Sequence, residues 1–292
     1  KTRPDLVLVC YGMNDGIYQP LDDARFAAYR DGVARLEKAV AASGAKLTLL
    51  TPPPFDRTRS GQKDDFDYDD VLARYSAWLL RRRGAPVGDV RTPMRRHVDN
   101  RRRREPAYTL SPDGVHCNPF GHWFFTQAVL ALWKMPADVA RVRLPFASAP
   151  PAVPLPLPLD PQWDPPAVRD EKVRERWSRL TLTVDDAPDG PVALEEDGRR
   201  LGVFSGEALR RGIDLAALPE LASHARAREV LTRVVQRQRL WRDAWLGATG
   251  HRRPGLPAGL PLERARAEAG AIDDAVRRLA APTPPALRLT RL

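Results

Sequence analysis

The sequence predicts an α/β fold: a parallel sheet flanked by helices, joined to a smaller α+β region. Three observations carry this reading. Residues 5–10, Asp5-Leu6-Val7-Leu8-Val9-Cys10, are a continuous apolar run of strand length, which suits a parallel strand buried on both faces. Strand-like and helix-like stretches then alternate to about residue 133. Finally, nine prolines fall between residues 145 and 166. That composition favours an extended connector over a packed core.

Asp22 or Asp23 can cap the first helix, along which Phe26, Tyr29, Val33, Leu36 and Val40 recur at spacings of three and four. Gly44 can end it in a left-handed cap. Leu47 to Thr51 reads as a second strand, stopped by Pro52-Pro53-Pro54. A polar loop to about Asp69 precedes a helix carrying Val71, Leu72, Tyr75, Trp78 and Leu79, and a short strand is expected near Val87 to Val90. Asn118 reads as an N-cap with Pro119 at the first helical position, opening a helix through Trp123, Phe124, Val129, Leu130 and Trp133.

Beyond the prolines, residues 179–204 read as short strands in hairpins, with Asp197-Gly198 as a turn. Ser205 can cap a short helix. Longer helices are expected at about 219–246 and 262–279, and a last strand at 286–290. Val230, Leu231, Val234, Val235, Trp241 and Trp245 would form the apolar side of the first. The expected organisation is a domain over 1–145, a linker over 146–166 and an α+β region over 167–292.

The chain has 292 residues, 43 % of them hydrophobic, and a net charge of +10. No apolar run reaches the ~18 residues of a membrane span, so none is expected. Arginine carries most of the charge, in runs such as Arg81–Arg83 and Arg101–Arg104. Such runs can bind a polyanion through phosphate contacts or simply solvate helix faces. No aromatic residue is interleaved with them, which argues against nucleic acid. Cys10 and Cys117 are the two cysteines. They form no disulfide framework, though both adjoin the motifs below.

The first motif, Tyr11-Gly12-Met13-Asn14-Asp15, lies where the first strand ends. Open α/β sheets place ligands at that edge. Gly12 permits tight backbone geometry. The Asn14 amide is a neutral donor suited to a developing oxyanion. Ordinary turn chemistry would also explain Asn-Asp there. The second motif, Asp113-Gly114-Val115-His116, precedes a capped helix. A histidine base needs a carboxylate to set its tautomer and orientation, and Asp113 is well spaced to supply one. A turn with a surface histidine is the plainer alternative. His122, at the start of that helix, is read as a packing or capping residue. A metal site from His116, Cys117 and His122 lacks further ligands at suitable spacing, so neither metal nor cofactor is expected.

Taken together, the two motifs resemble the SGNH (GDSL-type) hydrolase family. Residues 6–15 are similar to its third block and Ser111-Pro112-Asp113-Gly114-Val115-His116-Cys117-Asn118 to its fifth; Leu50-Thr51-Pro52-Pro53-Pro54 also fits. The likeness covers about residues 1–135. Residues 177–292 look similar to the C-terminal extension of bacterial, planctomycete-type members, through Gly212-Ile213-Asp214-Leu215-Ala216. The resemblance implies a flavodoxin-like three-layer sheet and a serine ester hydrolase acting through an acyl-enzyme. It makes His116 the general base, Asp113 its orienting carboxylate, and Asn14 with Gly12 the oxyanion and substrate-binding residues. Carbohydrate esters lead as substrates, and a secreted or periplasmic location is implied.

The family's nucleophile lies in a Gly-Asp-Ser block. Ser43, Ser60, Ser76, Ser111, Ser148, Ser178, Ser205 and Ser223 all lack that context. The expectation is therefore a chain missing its first strand and nucleophile, and inactive alone. An unpaired apolar strand edge would then favour self-association. Polyanion binding, or a non-catalytic carbohydrate-binding module in the C-terminal half, are the competing readings.

Overall fold

The computed structural model describes residues 4–63, 65–147, 150–160, 166–248 and 259–292. The chain divides into two compact units, Lys1–Met135 with Pro165–Glu171, and Pro136–Asp164 with Lys172–Leu292.

The first unit runs β1 (Leu6–Cys10), α1 (Asp23–Ala42), β2 (Lys46–Leu50), α2 (Arg57–Ser60), α3 (Tyr68–Arg81), β3 (Val87–Gly88), α4 (Arg91–Arg102) and α5 (Pro119–Leu132), with α6 (Pro166–Asp170). The sheet is parallel in the order β1-β2-β3, with Leu6 opposite Lys46 and Leu49 opposite Val87. Alternation along the strands makes three layers. Val9, Leu47 and Leu49 meet Phe26, Tyr29 and Val33 of α1 and Leu72, Tyr75 and Leu79 of α3. On the other face Leu50 meets Met94 of α4 and Phe124 and Ala128 of α5. The expected caps form: Asp22 accepts from the Arg25 N–H, and Asn118 from the Gly121 N–H.

Burial of β1 on both faces is not what the structure has. Leu6 and Leu8 are 37 % and 46 % exposed. α5 covers that face over Leu50 and β3 but stops short of them, and β1 is an edge strand among the described residues. Helix α4 is absent from the sequence reading. Its buried positions include Arg91 and His97 beside Met94, so it shows no apolar stripe. Partners take the place of hydrophobicity: Arg91 ion-pairs with Asp69, and His97 sits between Tyr108 and Glu171. Buried polar groups are stable only when so matched.

The second unit contains β4 (Asp138–Arg143), α7 (Val173–Trp177), β5 (Arg179–Thr183), β6 (Pro191–Glu196), β7 (Arg199–Ser205), α8 (Gly206–Arg211), β8 (Ile213–Asp214), α9 (Ser223–Ala248), α10 (Leu262–Ala280) and β9 (Leu287–Arg291). It begins after Met135 rather than after residue 145, because β4 pairs in parallel with β5. Hence β5 belongs to the sheet β4-β5-β8, and the expected hairpin is confined to β6 and β7, which pair with β9. The described part of the proline-rich segment packs on this unit's core: Leu155 is buried and bridges Thr283. Residues 148–149 and 161–165 of the expected linker lie outside the described residues. Helix α9 also departs from expectation. It buries Ser223, His224 and Ala244, while Leu231, Val235 and Trp245 are exposed. Small residues, Ala265 and Ala269, are likewise what α10 buries, so close helix contact replaces large apolar side chains.

Candidate active site

Both motifs lie beyond the carboxyl ends of the first unit's strands. Gly12 follows β1 at φ +130°, and a Cβ there would lie 3.0 Å from Pro52 Cγ. Only glycine lets the chain turn against the proline stop of β2. The Gly12 N–H donates to Asp15 Oδ2 at 2.8 Å. It is therefore engaged, and Gly12 shapes the turn rather than offering a donor to a ligand. Asn14 is exposed, and its Oδ1 accepts from the Tyr18 hydroxyl at 2.9 Å.

The loop between them is unusual. Ile17 and Tyr18 both adopt positive φ, 50° and 56°. Left-handed backbone is strained for side chains other than glycine, by about 1–3 kcal/mol per residue, and most of all for a β-branched one. The aromatic cluster beneath it offsets this cost. The Tyr18 ring lies 5.0 Å from Tyr68 and 6.1 Å from Phe55, centroid to centroid. The Tyr68 hydroxyl donates to the Met13 carbonyl at 2.6 Å. Burial pushes the Tyr68 hydroxyl up to about 12, so it remains a donor at neutral pH.

The second motif is a compact hydrogen-bonded turn. Asp113 Oδ1 accepts from the backbone N–H groups of Val115 and His116, at 2.9 and 2.7 Å. Asp113 Oδ2 meets His116 Nδ1 at 2.7 Å. The imidazole contact first, and then the two amides, hold the Asp113 carboxyl well below the usual carboxylate range. An ionised Asp113 accepts a hydrogen bond from Nδ1–H and so leaves Nε2 as the basic nitrogen. The His116 side chain is 85 % exposed.

Gly114 is held at φ +84°, where a Cβ would lie 2.6 Å from Ser60 Cβ and 2.7 Å from the Asp56 carbonyl. Its own carbonyl accepts from the Asp56 N–H at 2.9 Å. Burial raises the Asp56 carboxyl, but bonds from Thr58, Thr109 and Arg102 outweigh it and hold the pKa low. One residue earlier, the Phe55 N–H donates to Asp69 at 2.8 Å, and Asp69 ion-pairs with Arg91. The α4 network missed in the sequence thus anchors the turn that presents His116.

The structure brings the two motifs together. Met13 and Val115 pack against the same apolar cluster, and Cys10 and Cys117 against another. Burial, followed by the negative charge of Asp113, raises the pKa of the Tyr18 hydroxyl, so Tyr18 senses one motif while bonded to the other. Both cysteines are free. Burial pushes the Cys10 thiol up to about 12, which keeps it protonated. Ser111 is buried with its hydroxyl 3.8 Å from the Cys117 sulfur. The Ser60 hydroxyl donates to the Arg57 carbonyl at 3.2 Å. His122 is exposed and rests near the Phe125 ring. Among the described residues no group of His, Cys, Asp and Glu could hold a metal. No described helix is long and apolar enough to cross a membrane. In the arginine runs, Arg82 pairs with Glu37, Arg101 with Glu105 and Asp170, and Arg102 with Asp56.

Against this geometry, the model of the GDSL-like lipase/acylhydrolase family matches residues 1–124. This part of the chain is similar to that family. The matched stretch contains Asn14, Asp113 and His116, and the match supports a hydrolase of this type. A solved structure described as a gut microbial diltiazem-metabolizing enzyme is similar in fold, with a TM-score of 0.73 at 16 % identity. The likeness covers 99 % of this chain and 84 % of the other. A search of curated proteins finds no match. Tyr18 is the site residue that sequence reasoning missed. Nothing in the local pattern marks a tyrosine four residues after Asn14 as its partner, because the left-handed turn that joins them has no sequence signature without glycine.

Proposed function

We propose that the protein is a serine ester hydrolase in which His116 is the general base, Asp113 orients it and Asn14 donates to the oxyanion. The Asp113–His116 contact carries this reading. At 2.7 Å it fixes one imidazole nitrogen and leaves the other on an open surface, the arrangement a base needs when it deprotonates an attacking hydroxyl. Asn14 supports it as a neutral donor aligned by a hydrogen bond to its carbonyl oxygen.

The hydroxyl itself comes from a serine in a Gly-Asp-Ser block, and the 292 residues contain no such block. Small esters are the substrate class, with carbohydrate esters leading by family resemblance. In a form of the protein that turns over p-nitrophenyl acetate, His116→Ala should lower that turnover roughly 10³-fold or more. Unchanged turnover would remove the assignment.

A further inference from the structure

The geometry points to Tyr18 as a positioning residue that fixes which end of the Asn14 amide faces the reacting carbonyl. The inference rests on the oxyanion role proposed for Asn14. The two ends of an asparagine amide are nearly equal in size but opposite in function, one an acceptor and the other a double donor. Sterics alone would let either end face the cleft. A neighbouring hydroxyl that donates to the amide oxygen, as here, favours one orientation. The Tyr18 O–H donates to Asn14 Oδ1 at 2.9 Å, so the NH₂ group is the end left for a ligand.

Tyr18 can do this only if it is itself held in place, and its surroundings hold it. Its ring packs on Tyr68 and Phe55. Its backbone is held at φ 56°. Tyr68, in turn, donates to the carbonyl of Met13, the residue before Asn14. Met13, Tyr68, Tyr18 and Asn14 thus form a closed circuit of contacts around the donor. Burial and the Asp113 charge keep the Tyr18 phenol protonated, so it remains a donor across the working range of a histidine base.

Tyr18→Phe keeps the ring and removes the bond. It would be compared with Asn14→Ala and the double variant in the same active form of the protein, with p-nitrophenyl acetate as substrate. Loss of an oxyanion donor should lower kcat roughly 10²–10³-fold. Tyr18→Phe should lower kcat about three- to tenfold, the scale of one neutral hydrogen bond, with KM and thermal midpoint unchanged. The double variant should match Asn14→Ala alone, because Tyr18 acts through Asn14. A Tyr18→Phe loss that persists in the Asn14→Ala background would overturn the inference, as would a change confined to KM. So would an undiminished kcat in Tyr18→Phe when Asn14→Ala is impaired. An undiminished kcat in Asn14→Ala is a different failure: it removes the oxyanion role itself, and the inference with it.

Discussion

The loop after β1 is held by aromatic side chains from elsewhere in the chain, whereas the loop before α5 is held by its own Asp113 and by backbone bonds. In the first, two non-glycine residues sit in left-handed geometry, kept there by Tyr68 and Phe55. In the second, a glycine takes the positive φ, and Asp113 gathers two backbone amides and an imidazole. The proposed base is thus built on a turn closed largely by its own residues. The proposed oxyanion donor depends on a strained loop clamped from outside. Strain of this kind persists only where surrounding structure over-determines it, so the two loops should respond differently to substitution.

Gly114→Ala tests the loop before α5 and should have the largest effect. The added Cβ meets the Asp56 carbonyl and Ser60 backbone, which cannot rotate away. A loss of about 2–4 kcal/mol in chemical denaturation is expected, with activity falling at the same time. A Gly114→Ala variant of normal stability would show that the turn is looser than its contacts imply.

A second test is electrostatic. The Asp113 pKa is depressed in the folded state, chiefly by the His116 side chain. The stability it contributes is present above the unfolded carboxylate pKa of ~3.9 and is lost as pH falls through the folded value. In carboxyl-carbon NMR, Asp113 should titrate well below ~3.9, and His116→Ala should move the midpoint back up. A midpoint indifferent to His116 would break the assigned contact.

The smallest effect belongs to the clamped loop. Ile17 is 55 % exposed at φ 50°, and asparagine tolerates that geometry better than a β-branched residue. Ile17→Asn should stabilise the protein by about 0.5–1 kcal/mol in thermal unfolding. Destabilisation would mean that the isoleucine side chain has a packing role that outweighs its backbone strain.

What was legible in the sequence follows the same division. Strand β1, the triple-proline stop and the Asn118-Pro119 cap could be read because each depends on residues next to one another in the chain. The Asp113–His116 contact was legible for that reason too. Helix α4 was not, since Arg91 and His97 fill positions where an apolar stripe would be sought, and their partners are Asp69, Tyr108 and Glu171. Pairing of β5 with β4 was hidden by the many residues between them. The Tyr18–Asn14 bond was hidden by a turn type that the sequence does not announce.

The openness of the base has a consequence of its own. With His116 at 85 % exposure and Asp113 at 57 %, water surrounds the pair, and in that medium charge attraction is a small fraction of its strength in a dry interior. Hydrogen-bond direction, more than charge, therefore aims the ring. A substrate lying over this turn would displace that water and lower the local dielectric. The same two atoms, unmoved, would then attract more strongly as the substrate arrives. Part of the hold on the proposed base would in this way be supplied by the molecule it acts on.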